Sequence, residues 1–377
     1  MIPTLKARAA QTVAQRKVPD ETIAELQEAG LFRILQPKRW GGYEMHPNVF
    51  YEVQKLLAEG CMSTGWVYGV VGGHPYELAL FHNQAQIDVW GEDTSILISS
   101  SYQPVGKVER TEGGFYLSGR WGFSSGSDHC QWVLLGAMIP PEKEGDAPDM
   151  RTFLVPRKDY VIDDKWHVFG LQGTGSQDIV VDRAFVPDYR THKSVDGFLC
   201  RNPGQAENDA PLYCLPWAQI FLRLVSTSAL GAAKGAAKTA LEIAQSRVST
   251  NTGKASKADP FLLSAIARVM AQVDEMEVTL RRNMDDMLAH AERGEDVPME
   301  KRTLYRFQSA SVVRRCAALV DELLPLLGGR AIYMHSPIIQ PWLDLMAARA
   351  HVANDPNNTA ADLVGGMLGQ PPSFMFV

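Results

Sequence analysis

The chain lacks the features that mark membrane, secreted and nucleic-acid-binding proteins. No apolar run approaches the roughly 18 residues that a membrane-spanning helix needs, and the first residues, MIPTLKARAAQTVAQRK, contain no apolar signal core. Lys and Arg number 37 against 43 Asp and Glu, which gives a net charge of −6 without any basic block. A nucleic-acid or membrane-surface partner is therefore not expected.

Cysteine is scarce and scattered. The five cysteines in 377 residues form no CxxC pair and cannot all be paired with one another. This usage argues against a disulfide framework and against a zinc site, so we expect no metal and a reducing cytoplasm.

Two glycine motifs also fall short of the patterns they suggest. GLQGTG at 170–175 does not form G-x-G-x-x-G, and no βαβ pattern surrounds it, so independent NAD binding is not predicted. GFSSG at 122–126 formally satisfies G-x-S-x-G, but a strand-like run, HCQWVLLGAMI, follows it instead of the helix that a hydrolase needs. Electrons for a redox reaction are therefore expected to come from elsewhere.

Three successive patterns are present. Helical spacing dominates the first part, where GWVYGVVGGHPYELALF (65–81) indicates a buried helix. Short β-branched and aromatic runs follow, with a hairpin signal at EGG (112–114), and broad apolar helical stripes return later. We predict an α+β protein: an N-terminal helical domain (1–95), a central antiparallel β domain (96–187), and a C-terminal helical bundle (188–377) that begins with a loop excursion at 188–215.

This layout and a series of short motifs resemble the flavin-dependent aromatic monooxygenases built on the acyl-CoA dehydrogenase fold. Secosteroid-phenol hydroxylases are the nearest group, and p-hydroxyphenylacetate 3-hydroxylase is more distant. No single motif is strongly specific; their order and spacing carry the resemblance. They are VPDETIAELQEAGLFRILQPKRWGG (18–42), STGW (63–66), GGHPYELALF (72–81), ISSSYQP (98–104), GFSSGSDH (122–129), GLQGTGS (170–176) and HVANDP (351–356).

The resemblance implies the oxygenase component of a two-component system that hydroxylates aromatic compounds. A separate NAD(P)H-dependent flavin reductase supplies reduced FMN or FAD by diffusion, and O2 converts it to a C4a-hydroperoxyflavin that must be shielded from water. The expected reaction is ortho-hydroxylation of a secosteroid phenol or a smaller phenol to a catechol. An indole-type substrate is the alternative, and a homotetramer is the implied assembly.

Four residues match the family's catalytic positions. The resemblance implies that His74 and Ser100 meet the phenolic oxygen, that Ser125 lies at flavin N5, and that His351 lies beside the oxygen adduct. A neutral imidazole can take up a proton near physiological pH. The structural alternatives are core histidines that satisfy a buried polar group and a turn serine that bonds its own backbone.

Further positions are implied to bind flavin or substrate. Trp217 and Phe221 join His74 and Ser100 around the substrate, and Arg247 corresponds to an arginine that meets the flavin phosphate, often from a neighbouring subunit. Phe123 and Ala218 depart from relatives that have Trp and Arg at these positions. The other implied flavin-binding residues are Ser124, Ser125, Trp166, Thr174, Gly175 and Ser176.

Two rival functions stay open. An acyl-CoA dehydrogenase needs a carboxylate base, and Asp355, just before Pro356, is the only acidic candidate near HVANDP. His351 fits oxygen chemistry better than it fits that reaction. A non-catalytic flavin store is the second alternative, and the joint presence of His74, Ser100, Ser125 and His351 argues against it.

Overall fold

A computed structural model describes residues 1–141, 143, 145, 147–248, 253, 255–372 and 377. Within these ranges, no helix combines the length and apolar character needed to cross a bilayer. The same residues contain no group of three or more His, Cys, Asp or Glu side chains that could hold a metal ion.

The N-terminal part is helical. Its helices are α1 (Ile2–Gln15), α2 (Asp20–Glu28), α3 (Pro47–Gly60), α4 (Met62–Leu78) and α5 (Asn83–Trp90). Every residue of α4 is buried, as the apolar run at 65–81 predicted. Glycines let neighbouring helices approach α4: a Cβ at Gly69 would lie 2.0 Å from Gln54 Nε2, and one at Gly73 would lie 2.2 Å from Leu224 Cδ1.

A seven-stranded sheet follows, with strand order β5-β6-β2-β1-β3-β4-β7. The hairpin predicted at EGG joins β1 to β2, with Thr111 opposite Gly114. Among the described strands, neighbours are antiparallel except for β1 and β3, which run parallel. The strands are β1 (Ile98–Thr111), β2 (Gly114–Ser124), β3 (Trp132–Ile139), β4 (Asp149–Pro156), β5 (Val161–Asp163), β6 (Gln177–Pro187) and β7 (Thr191–Lys193).

The segment expected as a loop excursion at 188–215 contains short elements. Residues 191–193 form β7, which pairs with β4, and α6 (Ser194–Leu199) follows directly. Several 3-10 turns complete the segment before Pro216. Its lack of helical or strand periodicity reflects the shortness of these elements, which are each too brief to show a period.

The C-terminal part is a bundle around one long helix. This helix, α7 (Trp217–Ser246), packs against α3, α4, α8 and α9, and small residues from Ala229 to Ala240 line much of its buried face. The remaining helices are α8 (Pro260–Glu292), α9 (Met299–Leu326), α10 (Ile339–Ala348) and α11 (Pro356–Met367). Helices, sheet and helical bundle follow one another as the predicted fold class requires, whereas the domain boundaries at 95 and 187 stay predictions.

Because α4 contacts both β1 and α7, it lies where the sheet meets the bundle. This position brings side chains from the sheet and from the bundle together around α4.

Candidate active site

His74 and Ser100 form a hydrogen-bonded pair between α4 and β1. The imidazole is fully buried, with Nδ1 2.6 Å from the Ile98 carbonyl oxygen and Nε2 2.9 Å from Ser100 Oγ. A carbonyl oxygen only accepts, so Nδ1 carries the proton and Nε2 accepts the Ser100 hydroxyl proton. Burial lowers the pKa of His74 to about 4, which keeps the ring neutral at neutral pH.

Aromatic rings enclose this pair. Phe221 lies nearly parallel to the His74 ring at 6.2 Å, and Trp217 stacks on Phe221 at 5.2 Å with an interplanar angle of 5°. Tyr102 meets both rings edge-on, at 4.6 Å from Phe221 and 5.1 Å from Trp217. The four residues predicted around the substrate, His74, Ser100, Trp217 and Phe221, therefore come together from three separate elements.

Glu77 and Tyr102 belong to the same cluster and were not predicted. The Tyr102 hydroxyl donates to Glu77 Oε2, and burial raises the pKa of Glu77 to about 8. Two sequence signals could have found them. Glu77 is a lone acid in an apolar run, one turn after His74, and Tyr102 follows Ser100 by two residues, which places both on one face of a strand.

A second polar cluster surrounds Ser125, at the turn after β2. Trp66 Nε1 lies 3.2 Å from Ser125 Oγ, and Ser125 Oγ lies 2.7 Å from Ser176 Oγ. Ser176 Oγ is also 2.7 Å from Thr174 Oγ1, which donates to the Leu171 carbonyl oxygen at 2.9 Å.

The Leu171 carbonyl oxygen, at the end of this series of hydrogen bonds, determines the direction of each bond in the series. Since each hydroxyl has one proton, Thr174 must donate to Leu171, Ser176 to Thr174, and Ser125 to Ser176. Trp66 then donates to Ser125, whose oxygen keeps one acceptor site free. Ser125 Oγ can thus accept a further hydrogen bond from an N–H group. It cannot donate its proton elsewhere without losing its hydrogen bond to Ser176.

His351 lies next to the same tryptophan. Its ring meets Trp66 edge-on with centroids 5.7 Å apart. The backbone N–H of Ala353 donates to His351 Nδ1 at 3.1 Å, so the neutral ring carries its proton on Nε2 and presents a donor. Burial and, secondarily, the charge of Arg306 lower the pKa of His351 to about 4. The ring is therefore neutral at neutral pH.

Arg306 of α9 is hydrogen-bonded to the turn that follows His351, and it was not predicted from the sequence. Its Nη2 donates to the Ala353 carbonyl oxygen at 2.8 Å. Burial lowers the pKa of Arg306 to about 10, which leaves it charged at neutral pH. Its Nε and Nη1 atoms are buried without a hydrogen-bond partner among the described residues, and its positive charge acts on both His351 and the carboxylate of Asp362.

The predicted flavin-binding segment of the sheet forms an exposed aromatic rim. Phe123 is 61% exposed and meets Trp166 edge-on at 5.9 Å. Phe123 adopts a left-handed φ of 66°, which is uncommon for a bulky residue. Gly175 has a φ of 51° in the turn before Ser176, and Ser124 is fully buried, with no partner for its hydroxyl in the described part of the chain.

Arg247 lies apart from the cluster around His74 and Ser100. It ends α7, and its Nη1 donates to the Leu326 carbonyl oxygen at 3.1 Å. Phe221 lies 26 residues earlier on the same helix, so about 39 Å of helix separates the two positions. Within one chain, Arg247 therefore lies far from the aromatic residues around His74 and Ser100.

Asp355 is engaged in structure. Its carboxylate caps α11 by accepting from Asn357 N at 3.0 Å, and it pairs with Arg314 Nη2 at 2.6 Å. The one acidic side chain that the sequence offered as a dehydrogenase base therefore has a structural role.

Comparisons with known proteins identify the family of this chain. The profile of the family "Acyl-CoA dehydrogenase, C-terminal domain" matches residues 224–356. The chain is 40% identical over 374 residues to HsaA, the oxygenase subunit of a flavin-dependent monooxygenase from Rhodococcus jostii (strain RHA1), covering 98% of this chain and 97% of that protein.

Two further comparisons extend the match. The oxygenase component of p-hydroxyphenylacetate 3-hydroxylase from Acinetobacter baumannii is 30% identical and covers 99% of this chain, with 88% of its own length matched. The crystal structure of 3-HSA hydroxylase from Rhodococcus sp. RHA1 superposes with a TM-score of 0.94 at 39% identity, covering 100% of this chain and 96% of that one. The chain therefore belongs to the flavin-dependent monooxygenases of the acyl-CoA dehydrogenase fold, as an oxygenase component that works with a separate partner component.

Proposed function

We propose that this oxygenase hydroxylates a phenolic ring ortho to its hydroxyl group and so forms a catechol. The observation that supports this proposal is the His74–Ser100 pair, in which a neutral imidazole accepts a proton from a serine inside an aromatic enclosure. A phenol donating to the remaining lone pair of Ser100 can lose its proton through Ser100 Oγ to His74 Nε2. Deprotonation makes the ring carbon ortho to the oxygen electron-rich, which is what an electrophilic oxygen donor requires.

The second cluster suits a reduced flavin. Ser125 Oγ keeps an acceptor site free, so it can accept the hydrogen of flavin N5, while Phe123 and Trp166 offer an aromatic edge next to it. When bound, reduced flavin supplies the activation of O2 and the oxygen atom that is transferred. Ser124, at the end of β2, and Thr174, Gly175 and Ser176, in the segment before β6, complete the proposed flavin-binding set.

His351 is proposed to hold a proton at Nε2 on the flavin side of the site. Its Nδ1 is occupied by the Ala353 N–H, so the ring can donate from Nε2 and cannot take up a second proton without losing this bond. Trp66 contacts both His351 and Ser125, so its indole ring is proposed to shield this side of the site from water. Trp66 and His74 are eight residues apart on α4, so about 12 Å of helix separates the flavin side from the phenol side.

Arg247 is proposed to act across a subunit interface. It lies about 39 Å along α7 from Phe221, and its guanidinium donates to the Leu326 carbonyl oxygen, so we assign it to the flavin phosphate of a neighbouring copy of the chain. A homotetramer would supply this neighbour, and an NAD(P)H-dependent flavin reductase is the proposed partner component that delivers reduced FMN or FAD.

Reconstitution tests the proposal. The chain is mixed with a flavin reductase, NADH and either FMN or FAD, and oxygen uptake and products are measured with 4-hydroxyphenylacetate, a secosteroid phenol, 4-ethylphenol and indole. A catechol formed from a phenol supports the proposal, and the flavin that gives more product per O2 identifies the cofactor. Product from indole alone would favour the indole-type alternative and refute phenol hydroxylation.

A further inference from the structure

We propose that Glu77 is a positioning residue of the aromatic site: as an uncharged acid it holds Tyr102 against the substrate ring, and its ionisation stops phenol turnover in alkaline solution. This inference rests on the proposed function, because it assigns a task to a side chain of the same site. It concerns a residue that lies one turn beyond His74 on α4.

Tyr102 connects Glu77 to the substrate enclosure. Its hydroxyl donates to Glu77 Oε2, while its ring meets Phe221 at 4.6 Å and Trp217 at 5.1 Å. The ring also lies 6.5 Å from that of His74. The Tyr102 hydroxyl is therefore hydrogen-bonded to α4 while its ring forms part of the aromatic enclosure. Glu77 thus fixes the position of the Tyr102 ring.

Glu77 is buried with few polar neighbours. Only 2% of the residue is exposed, and its Oε1 atom has no hydrogen-bond partner among the described residues. An isolated buried carboxylate is costly, whereas a protonated carboxyl group is not. Burial accordingly raises the pKa of Glu77 to about 8, although hydrogen bonds from Tyr102 and Trp217 lower it in part.

Two groups interact directly with Glu77, and two histidines lie near those groups. Tyr102 comes from β1, Trp217 from α7 and the neutral His74 from α4, while His192 of β7 lines the small cavity beyond Tyr102 and Trp217. Burial also lowers the pKa of His192, so this ring is neutral at neutral pH. None of these four groups offers a positive charge that would stabilise an ionised Glu77 at neutral pH.

The charge state matters because the phenol must itself become negative. Removal of the phenolic proton through Ser100 and His74 places negative charge on the substrate, and a carboxylate nearby opposes that step. A neutral Glu77 permits it. Turnover should therefore fall as pH rises through about 8, where Glu77 ionises.

Variants at Glu77 distinguish its role in positioning Tyr102 from the effect of its ionisation. Glu77→Gln keeps the size and a hydrogen-bond acceptor for Tyr102 but cannot ionise, whereas Glu77→Ala releases Tyr102. Tyr102→Phe removes the hydroxyl that lowers the pKa of Glu77. The loss of catechol formation in alkaline solution should therefore occur at a higher pH in this variant than in wild type. Glu92→Gln, at an exposed glutamate, is the matched control.

The measurement is catechol formed per O2 consumed, with 4-ethylphenol, from pH 6 to pH 9.5. We choose this phenol because it carries no charge of its own below the range where phenols ionise, near pH 10. Wild type and Glu92→Gln should lose product above pH 8. Glu77→Gln should lack that loss, and Glu77→Ala should give roughly 10-fold to 100-fold less product at pH 7, the range that a misplaced substrate causes.

Infrared difference spectra provide a readout that needs no substrate. Wild type at pH 7 should show the C=O band of a protonated carboxylic acid that is missing in Glu77→Gln and disappears near pH 8. The inference is overturned if this band is absent, if Glu77→Gln keeps the alkaline loss, or if Glu77→Ala matches wild type at pH 7. Failure of the proposed function itself would be distinguishable, because the wild-type protein would then form no catechol from any phenol.

Discussion

His74 and His351 hold their protons on opposite ring nitrogens. Nδ1 of His74 faces the Ile98 carbonyl oxygen and must carry a proton, whereas Nδ1 of His351 receives the Ala353 N–H and must lack one. His74 therefore presents an acceptor at Nε2 and His351 presents a donor at Nε2. Burial lowers the pKa of both rings to about 4, so both tautomers persist across the physiological pH range.

Replacing His74 should uncouple the reaction. His74→Ala removes the proton acceptor behind Ser100, so catechol formation should fall about 100-fold, the size typical of a lost general base. Oxygen uptake driven by reduced flavin should continue and yield hydrogen peroxide. Product and peroxide are quantified by chromatography and a peroxidase assay, with the exposed His335→Ala variant as control. Unchanged product in His74→Ala would remove this residue from the proposed mechanism.

Replacing Ser125 should impair the coupling of O2 consumption to product formation on the flavin side of the site. Ser125→Ala leaves Trp66 Nε1 without its acceptor and Ser176 without its donor, and it removes the acceptor proposed for flavin N5. We expect more peroxide per O2 and less product, with phenol binding unchanged. Ser127→Ala is a close control, because Ser127 is also buried but its hydroxyl has no partner among the described residues. Equal peroxide yields from the two variants would contradict the assignment.

Removing the charge of Arg306 should raise the pKa of His351. Arg306 lowers this pKa by its positive charge, so Arg306→Met should shift the His351 titration upward, while Arg306→Lys should retain most of the effect. Histidine NMR titration measures both variants. A His351 titration that is the same in wild type and Arg306→Met would show that the charge of Arg306 does not control this ring.

Stability should fall in mild acid because His74 is buried and neutral. The folded pKa of about 4 lies below the unfolded value near 6.5, so the unfolded chain binds the proton first. This contribution is fully present above pH 6.5 and is lost as pH falls from 6.5 to 4. Between pH 7 and pH 5, linkage predicts that wild type loses about 2 kcal/mol of unfolding free energy through this residue.

Urea titrations of wild type and His74→Asn at the two pH values measure this difference. The variant has no ring to protonate, so its loss between pH 7 and pH 5 should be smaller by about the same amount. Identical losses in both proteins would mean that His74 does not titrate as a buried neutral group.

Arg247 should affect flavin binding and leave the phenol side unchanged. Arg247→Ala is expected to weaken binding of reduced flavin by roughly tenfold, in line with the loss of one charge-assisted hydrogen bond. Product per O2 at saturating flavin should stay near that of wild type. Anaerobic flavin titration is the measurement, and Arg110→Ala, at the β1–β2 hairpin, is the control. Equal flavin affinity in both variants would exclude the intersubunit role.

Sequence patterns alone determined the order of helices, sheet and bundle and the types of residue available for chemistry. Periodicity is a local property, so a buried helix at 65–81 and a hairpin at EGG could be recognised from their own residues. Family motifs likewise identified His74, Ser100, Ser125 and His351 as candidates, because each lies in a short recognisable segment.

Tertiary structure alone decided what these side chains can donate or accept. His74 and Ser100 are 26 residues apart in the chain, and Glu77 and Tyr102 are 25 apart, yet each pair shares a hydrogen bond between α4 and β1. A side chain's proton location and pKa depend on its partners and its burial, and these arise only when distant segments pack together. The same reason explains why Arg306 escaped prediction: it comes from α9 and reaches the His351 turn only in the folded bundle.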